Sequence, residues 1–190
     1  MARSVCWVPG GAFWMGGKDK SAQPVEKPYH RYDIPYEFAM SRYPVTEAQF
    51  ALFLRDTRRP IVTAGTGLPN HPVTWVNWHD AVAFCQWLVK YWRKRRIVKP
   101  GWMVQLPSEA EWEKAARGTD GRIYPWGDKP DVSARANCQA TDIRGTSPVG
   151  CFPDGVSPYG CEEMSGNVWE WTRSLWGDYP YPGSMRGWKK

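Results

Sequence analysis

The chain has 190 residues, of which 42% are hydrophobic, and a formal net charge of +6. That length favours a single domain over residues 1–190, and the hydrophobic content excludes a disordered chain. Residues 1–15 lack the apolar run of a secretory signal, and no stretch approaches the about 18 apolar residues of a membrane span, so we expect a cytoplasmic protein without a membrane partner.

Turn-forming and aromatic residues stand out in the composition. The 18 Gly and 17 Pro residues are spread along the chain, which predicts many fixed turns within one unit. Each of the 13 Trp residues carries a large apolar ring and one N–H group, so most are expected in a core of packed rings. The Trp residues near the C-terminus are alternatively part of a binding surface.

Two strands are predicted near the N-terminus. A turn at residues 9–11 leads into a short strand at residues 12–15. Polar and apolar residues then alternate from Tyr32 to Phe38, which predicts a second strand. Pro35 lacks an N–H group and assigns this strand to a sheet edge.

Three segments carry helix start signals. Thr46 with Gln49, and Ser108 with Glu111, have the spacing of capping boxes. Asn77 is a candidate N-cap for a helix over residues 78–93. In this second helix the residues expected to face the core are Val82, Cys85, Leu88 and Val89.

The third helix is predicted to end at Gly118, which suits the left-handed position after a helix. No helix pattern follows it. Residues 118–159 are rich in turns and long for a compact domain, so some interaction is expected to hold them in place.

A basic cluster occupies residues 93–96, with Lys90 and Lys99 nearby. At the predicted C-terminus of the second helix, these cations complement the helix dipole. An anionic partner is the alternative. Nucleic acid is not favoured as a partner, since no second basic stripe alternates with aromatic residues.

The nucleophilic and metal-binding residue types form no local motif. The cysteines are odd in number and include no C-x-x-C pair, which disfavours zinc. Cys85, on an apolar helix face, is expected to behave as a small hydrophobic residue. His30, His71 and His79 are separated by unlike segments and are expected to make structural hydrogen bonds. The full set of cysteines, which we expect to be reduced, is Cys6, Cys85, Cys138, Cys151 and Cys161.

A set of short motifs runs in order along residues 8–172. They are the segments at residues 9–16, 44–50, 71–85, 106–118, 124–127, 136–137, 148–150, 159–160 and 164–171. The ordered set resembles the formylglycine-generating enzyme (sulfatase-modifying factor) family. The resemblance implies a C-type-lectin-like, loop-rich α+β fold with short antiparallel strands and about three helices.

The last motif has the donors of a calcium site. Glu163 and Glu170 flank a Gly-Asn turn, and carboxylates with turn carbonyls are ligands that calcium prefers. The resemblance implies a structural calcium held by the side chains of Glu163 and Glu170 and the carbonyls of Gly166 and Val168. The family usually has Asp or Asn where Glu163 stands. The alternative is that Glu170 pairs with an arginine and no ion binds.

The resemblance also implies a second structural calcium. Its ligands here would be Asn137, the carbonyl of Cys138, and Asp142, with the carbonyl of Ile143 or Arg144 beside it. Either ion would hold the turn-rich stretch between residues 118 and 159.

The catalytic end of the family has no counterpart in this sequence. Formylglycine-generating members oxidise a substrate cysteine with copper, and copper(I) favours a pair of thiolates. In the family these cysteines lie well downstream of the Gly-Asn motif, whereas residues 172–190 contain no cysteine. We therefore expect no catalytic residues and no copper in this chain, and a domain that is truncated at its C-terminal end.

Three functional hypotheses follow from these observations. The first is a non-catalytic binding or display domain, stabilised by calcium, with a protein or a small ligand as partner. The second is a fragment of a copper-dependent oxidase that acts on sulfatase cysteines. The third is a structural subunit whose sheet is completed by a partner chain.

Overall fold

The computed structural model describes residues 4–20, 22–60 and 65–175. In chain order the elements are strands β1 (Val5–Val8), β2 (Gly11–Met15), β3 (His30–Ile34) and β4 (Phe38–Ser41), followed by helices α1 (Glu47–Thr57), α2 (Trp78–Lys94) and α3 (Glu109–Arg117). Short 3-10 turns occur at Pro24–Glu26, Gln139–Thr141 and Pro153–Gly155. The expected C-terminal truncation concerns residues 176–190, which lie outside the described ranges.

The four strands form one long antiparallel ribbon in two parts. β1 pairs with β4, with Val8 opposite Phe38, and β2 pairs with β3, with Gly11 opposite Ile34. Two residues separate the parts on one arm and three on the other, so one arm carries an extra residue, as in a β-bulge. The single strand predicted from Tyr32 to Phe38 is therefore wrong, because the chain leaves the ladder at residues 35–37.

Helix α3 packs across this interruption of the ribbon. Its Ala115 and Ala116 lie in a core cluster with Cys6 and Val8 of β1. Lys114 is fully buried, and its Nζ donates to the carbonyls of Pro9 and Gly11 at 2.7 Å each. The lysine thus satisfies carbonyls at the interruption, where buried backbone groups need partners.

The helix starts are confirmed by the cap geometry. The hydroxyls of Thr46 and Ser108 and the side chain of Asn77 each accept a hydrogen bond from the third helical residue. Gly118 ends α3 with φ 73°. None of the helices in the described part of the chain is both long and apolar enough to cross a bilayer.

The inner face of α2 differs from the prediction. Phe84 is the buried residue of this helix, and it stacks on Phe50 of α1 with ring centroids 5.7 Å apart. Ala83, Trp87 and Leu88 join the same cluster. Of the four residues predicted to face the core, Leu88 belongs to this cluster, which forms where α2 packs against α1.

The segment that follows the turn-rich stretch is attached to the rest of the fold by side-chain hydrogen bonds. Trp78 Nε1 donates to the carbonyl of Thr172 at 3.0 Å, and Trp171 Nε1 donates to the carbonyl of Val76 at 2.8 Å. Arg173 binds the carbonyl of Leu106 and the carboxylate of Glu111. These bonds attach residues 171–173 to the starts of α2 and α3.

Candidate functional site

The first candidate calcium ligands lie in the segment Glu163–Glu170, hereafter the Gly-Asn loop. Glu163 is buried, and its two carboxylate oxygens accept from Gly150 N and Asn167 Nδ2, both at 2.8 Å. Burial raises the pKa of Glu163, although these two hydrogen bonds lower it in part. The Glu163 side chain, one methylene longer than the Asp usual in the family, reaches the backbone N–H of Gly150.

Glu170 is the second carboxylate of the Gly-Asn loop. Trp112 Nε1 donates to its Oε2 at 3.4 Å. Part of the residue is exposed to solvent, yet the protein packed around its carboxyl raises the pKa to about 7, with the charge of Glu163 adding to the effect. No arginine pairs with Glu170 among the described residues, so the arginine alternative is absent from this part of the structure.

Asn167 connects the Gly-Asn loop to the second candidate site. Its backbone N–H donates to the carbonyl of Asn137 at 2.7 Å. Its Oδ1 accepts from Ser147 N at 2.9 Å, and its Nδ2 donates to Ser147 O at 3.1 Å. Asn167 was not among the predicted site residues, although an Asn after Gly in a predicted turn suits its left-handed backbone (φ 63°).

The carbonyl ligands predicted in this loop belong to a tight turn. Val168 N donates to the carbonyl of Gly166 at 2.9 Å, which uses one of the two lone pairs of that oxygen. The second lone pair of Gly166 O and the carbonyl oxygen of Val168 are the backbone groups in this loop that could coordinate an ion.

The second candidate ligands lie in residues 137–145, hereafter the Asn-Cys loop. A polar cavity of about 340 Å³ is lined by Asn137, Cys138, Gln139, Asp142, Arg144, Gly145 and Asn167. Asp142 is exposed, and both of its carboxylate oxygens bind Arg144, at 2.7 and 3.1 Å. The three residues predicted for the second calcium, Asn137, Cys138 and Asp142, therefore line one cavity. The Asp142 carboxylate, however, already has Arg144 as a cationic partner.

The two loops fit a divalent cation differently. In the Gly-Asn loop, two nearby carboxyls both have raised pKa values, so the charged form of each is disfavoured. A cation between them would reverse that effect. In the Asn-Cys loop, the Arg144 guanidinium occupies the place beside Asp142. No group of three His, Cys, Asp or Glu side chains with metal-site geometry occurs in the described ranges, so an ion in either loop depends on carbonyl and amide oxygens.

The cysteines are placed partly as expected. Burial raises the pKa of Cys85 to about 11, and Cys151 lies exposed in a turn. Two others, far apart in sequence, meet in the core. Cys6 of β1 and Cys161 share one buried cluster, and their thiols are in hydrogen-bonding contact. Sequence spacing gave no sign of this pair.

The histidines make structural contacts. His71 is buried, with Nδ1 2.8 Å from Thr146 Oγ1, and His30 Nδ1 lies 2.7 Å from the carbonyl of Pro28. His79 packs edge-on against Trp78. The three therefore lie at separate places and do not converge on a site.

Comparison with curated proteins gives relatives of differing activity. Formylglycine-generating enzyme from Thermomonospora curvata is 32% identical, and the alignment covers 93% of this chain and 73% of that protein. Hercynine oxygenase from Mycolicibacterium thermoresistibile is 33% identical, covering 83% of this chain and 40% of the relative. Inactive C-alpha-formylglycine-generating enzyme 2 from Bos taurus is 30% identical, covering 88% of this chain and 69% of the relative.

Comparison of folds agrees with these relatives. The structure of PvdO from Pseudomonas aeruginosa superposes with a TM-score of 0.73 at 29% identity, covering 92% of this chain and 71% of that one. The family model described as sulfatase-modifying factor enzyme 1-like domain matches the sequence over residues 1–189. The chain therefore belongs to the sulfatase-modifying factor, or formylglycine-generating enzyme, family and has its loop-rich, C-type-lectin-like α+β fold.

Proposed function

We propose that this chain is a non-catalytic binding domain of its family, stabilised by one calcium ion in the Gly-Asn loop. The observation that carries the binding role is an exposed aromatic surface beside that loop. Trp169 is fully exposed, Trp75 is 80% exposed and Trp171 is 51% exposed. We call these three residues the aromatic face.

The aromatic face is built on fixed backbone. The bond from Trp171 Nε1 to the Val76 carbonyl brings residues 75–76 beside residue 171. Trp75 has a left-handed backbone (φ 59°), which is uncommon for a bulky residue. Large aromatic side chains held in this way offer contact area at little cost in conformational entropy. Exposed apolar clusters of this kind commonly mark interaction sites.

Calcium is proposed for the Gly-Asn loop because its carboxyls lack a cation. Burial raises the pKa of both Glu163 and Glu170, and the charge of Glu163 adds to the rise for Glu170. Neither carboxyl has an arginine or lysine partner among the described ion pairs. The ligands would be the Glu163 and Glu170 side chains with the carbonyls of Gly166 and Val168. The Asn-Cys loop, with Asp142 paired to Arg144, is the weaker candidate and stays a prediction.

Calcium is expected to raise the melting temperature of the protein. An ion that binds only the folded state stabilises it by mass action, so the thermal midpoint in millimolar calcium will exceed that in chelator. Glu170→Gln removes a charged ligand and will reduce the difference. The matched control is Glu37→Gln, an exposed glutamate outside both loops, which keeps the full difference. Identical melting curves with calcium and with chelator would rule the site out.

The aromatic face is tested by self-association. An exposed apolar surface without its partner tends to associate with copies of itself. Sedimentation equilibrium at rising protein concentration is expected to show association that Trp169→Ser weakens. The control, Leu68→Ser, changes an exposed apolar residue elsewhere and leaves the association as it is. Equal behaviour of both variants would argue against the aromatic face as a contact surface.

The alternative proposal is that the chain is part of a copper-dependent oxidase acting on sulfatase cysteines. Such a site needs two thiolates that a substrate can reach. Cys6 and Cys161 are in contact, but both are buried in the core. The remaining cysteines, Cys85, Cys138 and Cys151, lie on separate elements. This placement favours the binding domain over the oxidase.

A further inference from the structure

Two cysteines from opposite ends of the described chain meet in one buried cluster. Cys6 is 7% exposed and Cys161 is 0% exposed, and both pack with Ala115 and Met164. Their thiols are in hydrogen-bonding contact. A Cβ placed on Gly160 would lie 3.6 Å from Cys6 Sγ, so the backbone leading into Cys161 passes directly beside that sulfur.

The backbone around each sulfur is held in place. Cys6 lies in the β1–β4 ladder opposite Met40. Cys161 N donates to Ser157 Oγ at 3.1 Å, and Cys161 O accepts from Ser157 N at 2.8 Å. The next residue, Glu162, donates its N–H to the carbonyl of Arg42 at 2.8 Å. Both thiols are therefore presented to each other by fixed segments.

We propose that Cys6 and Cys161 form a site of oxidative modification, at which a peroxide converts the two thiols to a disulfide that joins β1 to the segment entering the Gly-Asn loop. The modification does not depend on calcium or on the aromatic face. It would close a loop that contains most of the described chain.

The two thiols differ in exposure, which assigns their roles. Cys6 is 7% exposed, whereas Cys161 is fully buried. Cys6 is therefore the thiol that a small peroxide reaches and attacks, and Cys161 is the thiol that resolves.

The reaction balances in two steps. The Cys6 thiolate attacks one peroxide oxygen, an S–O bond forms, the O–O bond breaks, and the hydroxide that leaves takes the thiol proton as water. Cys161 sulfur then attacks the Cys6 sulfenic acid, an S–S bond forms, and the S–O bond breaks as a second water leaves with the Cys161 proton. The two thiols lose two electrons in total, and hydrogen peroxide is reduced to two waters.

The test uses the whole chain with Cys138→Ser and Cys151→Ser, which removes two cysteines that lie outside the core cluster. After treatment with hydrogen peroxide, a digest without reductant is analysed by mass spectrometry. We expect a cross-linked pair of peptides containing Cys6 and Cys161, lighter by two hydrogens than their sum and separated by dithiothreitol. Because the cross-link closes a long loop, the thermal midpoint is expected to rise by about 10 °C.

A further variant tests whether Cys6 is oxidised before the disulfide forms. In Cys161→Ala no cross-link forms, and Cys6 accumulates as a sulfenic acid that dimedone labels. The protein without substitutions is treated with peroxide and analysed in parallel. The result therefore does not depend on whether a variant folds. The proposal is overturned if Cys6 and Cys161 stay reduced in folded protein after peroxide treatment, while the exposed Cys151 of the same protein is fully oxidised. A disulfide that joins either residue to a different cysteine would also overturn it.

Discussion

Gly166 lies where the Gly-Asn loop and the Asn-Cys loop touch. A Cβ at this position would be 2.3 Å from the carbonyl oxygen of Asn137, and the backbone has φ +124°. Gly127 has nearly the same backbone angle (φ +125°) but has open space around it. The two glycines therefore separate the effect of contact between loops from the effect of backbone angle.

Gly166→Ala is expected to destabilise the protein by about 2 kcal/mol more than Gly127→Ala. Both variants suffer the strain of a non-glycine residue in this backbone region, and only Gly166→Ala also overpacks the loop contact. The measurement is urea unfolding of both variants and the parent. Equal losses of stability would show that the two loops separate at little cost.

The raised pKa of Glu170 predicts how the stability of the calcium-free protein depends on pH. Its pKa is raised from 4.5 in an ordinary carboxyl to about 7 in the folded protein. Between these values the folded state holds a proton that the unfolded state has lost, so stability falls as pH rises from about 4.5 to about 7. Thermal unfolding in chelator is expected to show this decline, and Glu170→Gln to flatten it.

Calcium reverses this dependence, because a bound cation requires the ionised carboxyl. The apparent calcium affinity is expected to weaken by up to about tenfold for each pH unit below 7, since one proton competes for the site. Calorimetric titrations at several pH values measure it. An affinity that does not change across this range would mean that Glu170 is not a ligand.

At the scale of residues, the sequence supplied candidate ion ligands, which stay a prediction, and missed Asn167, whose hydrogen bonds join the two loops. Carboxylates flanking a Gly-Asn turn are visible as a pattern. The bonds from Asn167 to residues 137, 147 and 163 span up to thirty positions. No local pattern encodes partners at such separations.

The helices are the elements that local sequence determines best. Thr46 and Ser108 each form a complete capping box in the structure. A cap joins residues three positions apart, so it is readable without knowledge of the fold. The same locality makes the caps suitable for a quantitative test.

Thr46→Ala and Ser108→Ala are each expected to lower the free energy of unfolding by about 1 kcal/mol, because each leaves a helix N–H group without its acceptor. The control is Thr119→Ala, an exposed threonine just after α3, which should change stability by less than about 0.5 kcal/mol. Chemical denaturation of the three variants compares them directly. A Ser108→Ala effect no larger than the control's would show that the bonds of Glu111 to Tyr36 and Arg173 hold the start of α3 without the cap.

The strands illustrate the opposite case. The alternation from Tyr32 to Phe38 continues through Pro35, yet the ladder breaks there, and the preceding strand β1 was not recognised at all. Lys114 in α3 supplies the hydrogen bonds that the broken ladder lacks near Pro9 and Gly11. Strand limits therefore depend on a helix seventy or more residues away, which strand propensity does not include.

At the scale of the whole molecule, the chain is expected not to convert a sulfatase-type cysteine peptide to formylglycine. Its only thiol contact among the described residues is buried, and a peptide cannot reach it. The assay is mass spectrometry of a Cys-x-Pro-x-Arg peptide incubated with protein, copper and reductant under air. Formylglycine-generating enzyme from Thermomonospora curvata is the positive control. Protein-dependent loss of the thiol with gain of an aldehyde would favour the oxidase proposal over the binding domain.

The sequence by itself determined the family, the fold class, the three helix starts and the candidate ion ligands. These features rest on short motifs in fixed order, on contacts within one helical turn, and on donor types within one loop. Only the tertiary structure decided that the two candidate loops join at Asn137 and Asn167, that α2 turns Phe84 inward, and that Cys6 meets Cys161. Each of those contacts joins segments far apart along the chain, and their formation depends on how the whole molecule packs.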